Sequence, residues 1–325
     1  MHPQPIRREI RRNPHSGDLT VYLIGLDKLN TSLHDSQIGL EGKEFDVFPT
    51  LPKDGAQVSI ITPPIPLLIL QAKPVGELDT AVYDRESSFG ADERLKVNRF
   101  SNSGLEVLVE TFISRVEQLR SDSRYQGNLR QFYPYIMFNP ETEGEKLIGR
   151  HLSSKVIAPA IEDEIRIAKN FDGQHGRCMY CDIIQEENKK SGADESRVVF
   201  ITKQYIGIQP FASRYPYEIH IFPRRHIARI IELNPYEIAD LALIFSDKLY
   251  KIVSKIGPVN IAFHSLPYYN RGDPINGKVI LEGIYHTHIE ITQSSLSKVY
   301  EIPSSRIFVM DTRPKDAAKE LREML

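Results

Sequence analysis

The chain predicts an α+β fold in two halves of similar plan. Three observations carry this. Short β-branched runs recur along the sequence, each half holds one long amphipathic helical segment, and an acid-rich helical stretch joins the halves. At 325 residues there is room for two domains of ordinary size. The boundary is placed so that residues 1–172 form the first half and residues 173–325 the second.

In the first half, Leu19-Thr-Val-Tyr-Leu-Ile24 and Gln57-Val-Ser-Ile-Ile61 have strand character, and a proline cluster follows at Pro63, Pro64 and Pro66. Residues 76–100 are polar and charged and read as loop. Between Gly104 and Arg120, Leu105, Leu108, Val109, Phe112, Ile113, Val116 and Leu119 make one apolar helical stripe. Tyr135-Ile-Met-Phe138 and Ser154-Lys-Val-Ile-Ala158 read as strands joined by a polar loop from Asn139 to Arg150. Ala160 to Phe171 is the connecting helix.

In the second half, Val198-Val-Phe-Ile-Thr202, Ile206-Gly-Ile-Gln209 and the alternating Tyr217-Glu-Ile-His-Ile-Phe222 are strands, the last ended by Pro223. Asn234 caps a helix with Pro235 in its first position, running to about Ile256. Asn260 to His264 and Tyr285 to Thr292 are further strands, and Pro314 to Leu325 is a charged terminal helix.

Composition narrows the function classes. With 41% hydrophobic and 26% charged residues the chain is ordinary for a globular protein, and a net charge of −2 argues against nucleic acid as its main partner. No apolar run approaches the roughly 20 residues of a membrane span, so no membrane partner is expected. The basic amino terminus lacks an apolar core, so the expected location is the cytoplasm.

Both cysteines stand as Cys178-Met-Tyr-Cys181, and His226 and His286 follow on or beside strands. Two thiolates and two imidazoles make a tetrahedral zinc set of the structural kind. The competing reading makes the cysteines small core residues and His226 a surface residue. A rival metal set joins His264, His286 and His288 to Glu164, for zinc or iron. His286 belongs to both sets, so both cannot be filled at once.

On a strand, His286 and His288 point to one face and Glu290 continues the row. His288 is then a ligand or a nucleophile, since a neutral imidazole can attack an α-phosphorus and split one hard transfer into two. The plainer alternative is a structural His288–Glu290 pair. Arg224, Arg225, Arg229 and Arg271 suit phosphate oxygens, or are solvated surface charge.

Taken together, Cys178 to Ile184, Pro210 to His226, Phe263-His264 and His286-Thr-His-Ile-Glu290 resemble the galactose-1-phosphate uridylyltransferase family, the two-repeat branch of the histidine-triad superfamily. The resemblance implies two histidine-triad-like halves, each an antiparallel sheet with helices packed on it, in a homodimer. It implies nucleotidyl transfer between a nucleotide sugar and a sugar 1-phosphate, as in UDP-glucose–hexose-1-phosphate uridylyl transfer. Zinc would be held by Cys178, Cys181, His226 and His286, with iron the alternative metal, and His288 would be the catalytic histidine.

The first half matches more loosely. The family's His-Pro-His-Ser-Gln signature, whose second histidine carries the uridylyl group, has its counterpart at His151-Leu-Ser-Ser-Lys155, with Ser153 at the nucleophile's place. Asn139, Ser153, Ser154, Lys155 and Lys298 are the implied substrate contacts. This departure opens two alternatives: an inactive nucleotide-binding homologue, or a nucleotide-sugar phosphorylase or hydrolase using His288.

Overall fold

The computed structural model describes residues 7–12, 19–24, 43–46, 58–62, 92–97, 102–121, 129–139, 147–154, 157–193, 195–269, 278–294, 300–302 and 307–325. The first half supplies β1 (Arg7–Arg12), β2 (Leu19–Ile24), β3 (Lys43–Asp46), β4 (Val58–Thr62), β5 (Asp92–Val97), α1 (Asn102–Ser121), β6 (Gln131–Phe138) and β7 (Leu147–Ser154). Then come α2 (Pro159–His175), α3 (Met179–Lys189), β8 (Val198–Ile201), β9 (Tyr205–Ile208) and β10 (Ile219–Pro223). Helices α4 (Pro235–Leu243) and α5 (Tyr250–Ile256) are joined by a π-helical stretch, Ile244–Leu249. The chain closes with β11 (Val259–His264), α6 (Lys278–Ile284), β12 (His288–Gln293), β13 (Tyr300–Ile302), β14 (Ile307–Met310) and α7 (Pro314–Met324).

The α+β class holds, and its centre is one antiparallel sheet rather than two. Ten strands run in the order β3-β4-β5-β7-β6-β11-β12-β10-β9-β8. The halves meet where β6 pairs antiparallel with β11, Val259 opposite Phe138 and Ala262 opposite Tyr135. A second sheet, β1-β2-β14-β13, joins the first strands of the chain to the last, with β14 parallel to β2.

Two apolar layers flank the second-half sheet. On one face Leu105, Leu108 and Phe112 of α1 pack with Leu241 of α4, Ile252 of α5, and Ile261, Phe263, Ile289 and Ile291 of the strands. On the other, Ile161 and Ile165 of α2, Tyr180 of α3, Leu281 of α6, Phe222 and Tyr285 form a second cluster. The α4 terminus follows its capping signal: Asn234 accepts from the Glu237 amide at 3.0 Å, and Glu237 accepts from the Asn234 amide at 2.8 Å.

Several boundaries differ from expectation. The strand placed at Ser154 to Ala158 is β7, residues 147–154, because it finds ladders on both sides, with β5 and with β6. Ala158 is instead the extended residue before Pro159 at the start of α2. The charged stretch read as loop contains β5, whose partners are β4 and β7. Pairing on both edges overrides weak strand propensity. Helix α2 runs through residues 172 and 173.

Candidate functional site: a thiol–imidazole cluster beside a buried ionic network

Helix α2 ends at Gly176 in the left-handed region, φ 67°, a conformation that glycine takes without penalty. Two residues later Cys178 caps α3, so Cys181 lies in the first helical turn. Amide donors and the helix dipole there favour a thiolate. His226 and His286 reach the same point, and the four ligand atoms lie within 4.8 Å of one another. The predicted cysteine–histidine set is therefore assembled.

Its geometry fits a tetrahedral ion. The Cys181 Sγ stands 3.3 Å from His226 Nδ1 and 3.5 Å from His286 Nδ1. Zinc–sulfur and zinc–nitrogen bonds of normal length at the tetrahedral angle give an S···N edge of about 3.6 Å. The far nitrogens are fixed: His226 Nε2 donates to the Glu282 carbonyl and His286 Nε2 to the Pro223 carbonyl, both at 2.9 Å. That tautomer turns both Nδ1 lone pairs toward the thiols, as an imidazole ligand requires. The bond from the Cys178 thiol, acting against burial, pulls the Cys181 thiol down to about 3, while that bond and burial push Cys178 up. The donor set fits zinc.

The expected strand from Tyr285 begins instead at His288. His286 thus precedes β12 and faces the thiols, while His288 faces a second cluster. Its ring stacks on Tyr180 at 5.3 Å and on Phe222 at 5.5 Å between centroids, and it is 0% exposed. Its Nδ1 donates to the His286 carbonyl at 3.1 Å, and Nε2 lies 3.8 Å from Glu164 and 3.7 Å from Glu290. Burial holds the His288 imidazole below its usual range.

Around it runs a network that sequence reading only partly reached. The two carboxylate oxygens of Glu164 accept from His264 Nδ1 and from the Tyr285 hydroxyl, each at 2.7 Å. His264 Nε2 meets the Tyr133 hydroxyl at 3.0 Å. Arg214 donates to Glu218 at 2.7 Å and also to Glu290, and His220 lies 2.9 Å from Glu218 and 3.3 Å from Glu290. Burial opposes the charges of Glu164, Arg214, Glu218, His264 and Glu290, yet their partners win. Arg214 and His264 hold the Glu290 carboxyl well below the usual range, and Glu164 and Glu290 lift His264 to about 9.

This second group fits a metal poorly, although Glu164, His264, His288 and Glu290 bring ligand atoms within 4.8 Å. A proton lies between His264 and Glu164, the other nitrogen of His264 meets Tyr133, and His286 has turned to the thiols. Arg214 and protonated His264 supply the positive charge a cation would bring. Arg214, Glu218, His220 and Tyr133 were not singled out from sequence. The available signal was the alternation from Tyr217 to Phe222 in the sequence, which sets Glu218 and His220 two apart, with His220 opposite Glu290 in the ladder.

Of the described first-half candidates, Ser153 and Ser154 are neighbours at the end of β7, and Asn139 lies apart from them. Ser153 pairs with Phe132, whose side chain is buried with Val116 and Leu119, and Ser154 pairs with Gln131. Asn139 follows the far end of β6, about 20 Å along the strand from Tyr133 at strand rise. Lys155, Lys298 and Arg271 lie outside the described residues. Arg225 is paired with Glu237 and Arg229 with Glu282, so both have protein partners.

Comparison with known proteins agrees with this arrangement. The family model described as galactose-1-phosphate uridyl transferase, C-terminal domain, matches residues 164–299. A galactose-1-phosphate uridylyltransferase of Thermotoga maritima is 22% identical over 79% of this chain and 81% of its own. An ADP-glucose phosphorylase of Arabidopsis thaliana is 26% identical over 52% of this chain and 44% of its own. Among solved structures, an Arabidopsis thaliana ADP-glucose phosphorylase with bound ADP-glucose superposes with a TM-score of 0.71 at 17% identity, covering 98% of this chain and 99% of that one. A uridylyltransferase structure gives 0.60 at 18% identity, covering 98% of each chain. Residues 164–299 thus match the C-terminal domain of galactose-1-phosphate uridyl transferases, and the chain as a whole shares its fold with the solved ADP-glucose phosphorylase and uridylyltransferase.

Proposed function

We propose that the protein moves a nucleoside monophosphate from a nucleotide sugar to a phosphate acceptor, with a sugar 1-phosphate as the first acceptor to test. The observation that carries this is the family domain at residues 164–299, which contains both side-chain clusters except Tyr133. In such a transfer the bond from the α-phosphorus to the bridging oxygen breaks, and the departing sugar 1-phosphate keeps the electron pair. A new bond forms to an oxygen of the acceptor. Inorganic phosphate as acceptor makes the same step a phosphorolysis, the second reading, in keeping with the relatives named ADP-glucose phosphorylase.

Zinc at Cys178, Cys181, His226 and His286 would be a closed four-ligand site, which supplies fold rather than an open coordination position. It ties α3 to the residues preceding β12. His288 as covalent carrier meets a physical obstacle, since its Nε2 lies in a fully buried stack between two carboxylates. The geometry supports its role as a packing and hydrogen-bonding element under the site. A homodimer in the cytoplasm belongs to the same reading; among the described residues no helix is long and apolar enough to cross a membrane.

The test incubates the protein with UDP-glucose or ADP-glucose and either a hexose 1-phosphate or inorganic phosphate, reading products by phosphorus NMR. His288→Ala and Ser153→Ala are run beside it with labelled nucleotide to trap a covalent intermediate. Turnover of at least one pair, with no label on His288, is expected. Binding without turnover across the screen would favour the inactive homologue, and label retained on His288 would restore it as carrier.

A further inference from the structure

The two cysteines open α3 one turn apart, Cys178 at its cap and Cys181 in the first turn, with the Asp182 amide donating to the Cys178 carbonyl at 3.3 Å. Their sulfurs lie within 4.8 Å of each other. Cys178 is buried and Cys181 is partly open, so a small reagent from solvent meets Cys181 first. A CxxC pair at a helix start is the spacing at which thiol–disulfide proteins close and open a bond. Zinc binding uses these thiols as ligands only; the same pair has a second chemistry available.

The rest of the site is held without the sulfurs. His226 and His286 keep their orientation through Nε2, bound to the Glu282 and Pro223 carbonyls at 2.9 Å each. Tyr180, between the cysteines, is fully buried, and its ring centroid lies 6.0 Å from those of both Phe222 and Tyr285. Farther along α3, Glu187 pairs with Arg197 at 2.7 Å. Closing a disulfide therefore removes two zinc ligands while the imidazoles and the helix stay in place. Such a change is reversible.

We propose that Cys178 and Cys181 form a reversible disulfide that expels the zinc ion, with a hydroperoxide as oxidant. The Cys181 sulfur attacks the peroxide: a sulfur–oxygen bond forms, the oxygen–oxygen bond breaks, and the departing oxygen takes a proton and leaves as alcohol or water. The Cys178 sulfur then attacks the Cys181 sulfenic acid and releases its oxygen as water. Two thiols lose two electrons in all, and one peroxide gains them. Disulfide sulfurs are not thiolates, so two imidazoles remain, too few for a closed site. A reductant restores the thiols, and zinc returns to them. The switch rests on the zinc assignment and not on nucleotidyl transfer.

In the test, the zinc-loaded full chain is treated with a small excess of hydrogen peroxide, remaining thiols are alkylated, and released zinc is read with a chromogenic chelator. Trypsin cutting after Arg177 and Lys189 leaves both cysteines in one peptide, residues 178–189. That peptide should be unalkylated and lighter by two hydrogens, with zinc released in equal amount. A phosphine reductant and added zinc should restore the starting state, and circular dichroism should stay unchanged throughout. Cys178→Ser removes the second thiol, so its Cys181 should run on to a sulfinic acid that the reductant does not reverse. Oxygen added to wild-type Cys181 with Cys178 still alkylated overturns the proposal, as does zinc retained after peroxide or a fold lost with the ion. A chain that takes up no zinc also overturns it, and places the failure in the ligand set rather than in the thiols. Should Cys178→Ser fail to fold, the wild-type peptide alone decides.

Discussion

Glu164 on α2 and His264 on β11 meet at 2.7 Å in the buried interior, so the helix between the halves is fastened to the strand at the seam of the sheet. Each charge is tolerated there only because of the other. Removing one partner of such a pair typically costs about 3–5 kcal/mol, since the remaining charge stays buried. Glu164→Gln and His264→Gln should each destabilise by that order in urea unfolding. The double variant should cost clearly less than the sum.

The same pair sets a pH dependence. His264 is lifted to about 9 from 6.5, so its contribution is complete below about 6.5 and lost as pH rises through 9. By linkage this amounts to roughly 3 kcal/mol at most. Glu164 and Glu290 are held low, so their share is present above about 4.5 and lost toward acid. Thermal unfolding across pH should show a plateau between those limits. In His264→Gln the alkaline fall should flatten.

Arg214 joins the loop before β10 to β12 by holding Glu218 and Glu290 together. Arg214→Leu leaves two buried carboxylates without their guanidinium and should destabilise by about 3–5 kcal/mol. Arg214→Lys keeps the charge but loses the fork, and should lie between the two. Chemical denaturation midpoints order the three proteins.

Gly207 is required by packing. A Cβ there would fall 2.5 Å from the Phe200 ring on the neighbouring strand. Gly207→Ala should cost about 1–3 kcal/mol through overpacking. Adding Phe200→Leu should recover part of it, read by melting temperature.

Elements with strong local signals were legible in the sequence: the α1 stripe, the Asn234 cap followed by Pro235, and the cysteine–histidine set. What escaped was decided by long-range pairing. Strand β7 reads as loop until β5 and β6 flank it, and the two expected sheets are one because β6 meets β11. The ionic network was reached in part, since Glu164, His264 and His288 were grouped and Glu290 set beside His288, and the rest escaped for the same reason. Arg214, Glu218 and Tyr133 come from stretches far from those residues, and no spacing in the chain announces that they join them. His286 and His288, two apart, read as one row; the late start of β12 sends them to different clusters.

The most direct test of the account is zinc X-ray absorption on the purified protein, with metal content measured on the same sample. The account predicts one zinc per chain with two sulfur neighbours near 2.3 Å and two nitrogen neighbours near 2.0–2.1 Å, and loss of the ion in Cys181→Ser. A protein free of zinc when purified with it available, or a first shell of oxygen and nitrogen alone, would contradict it.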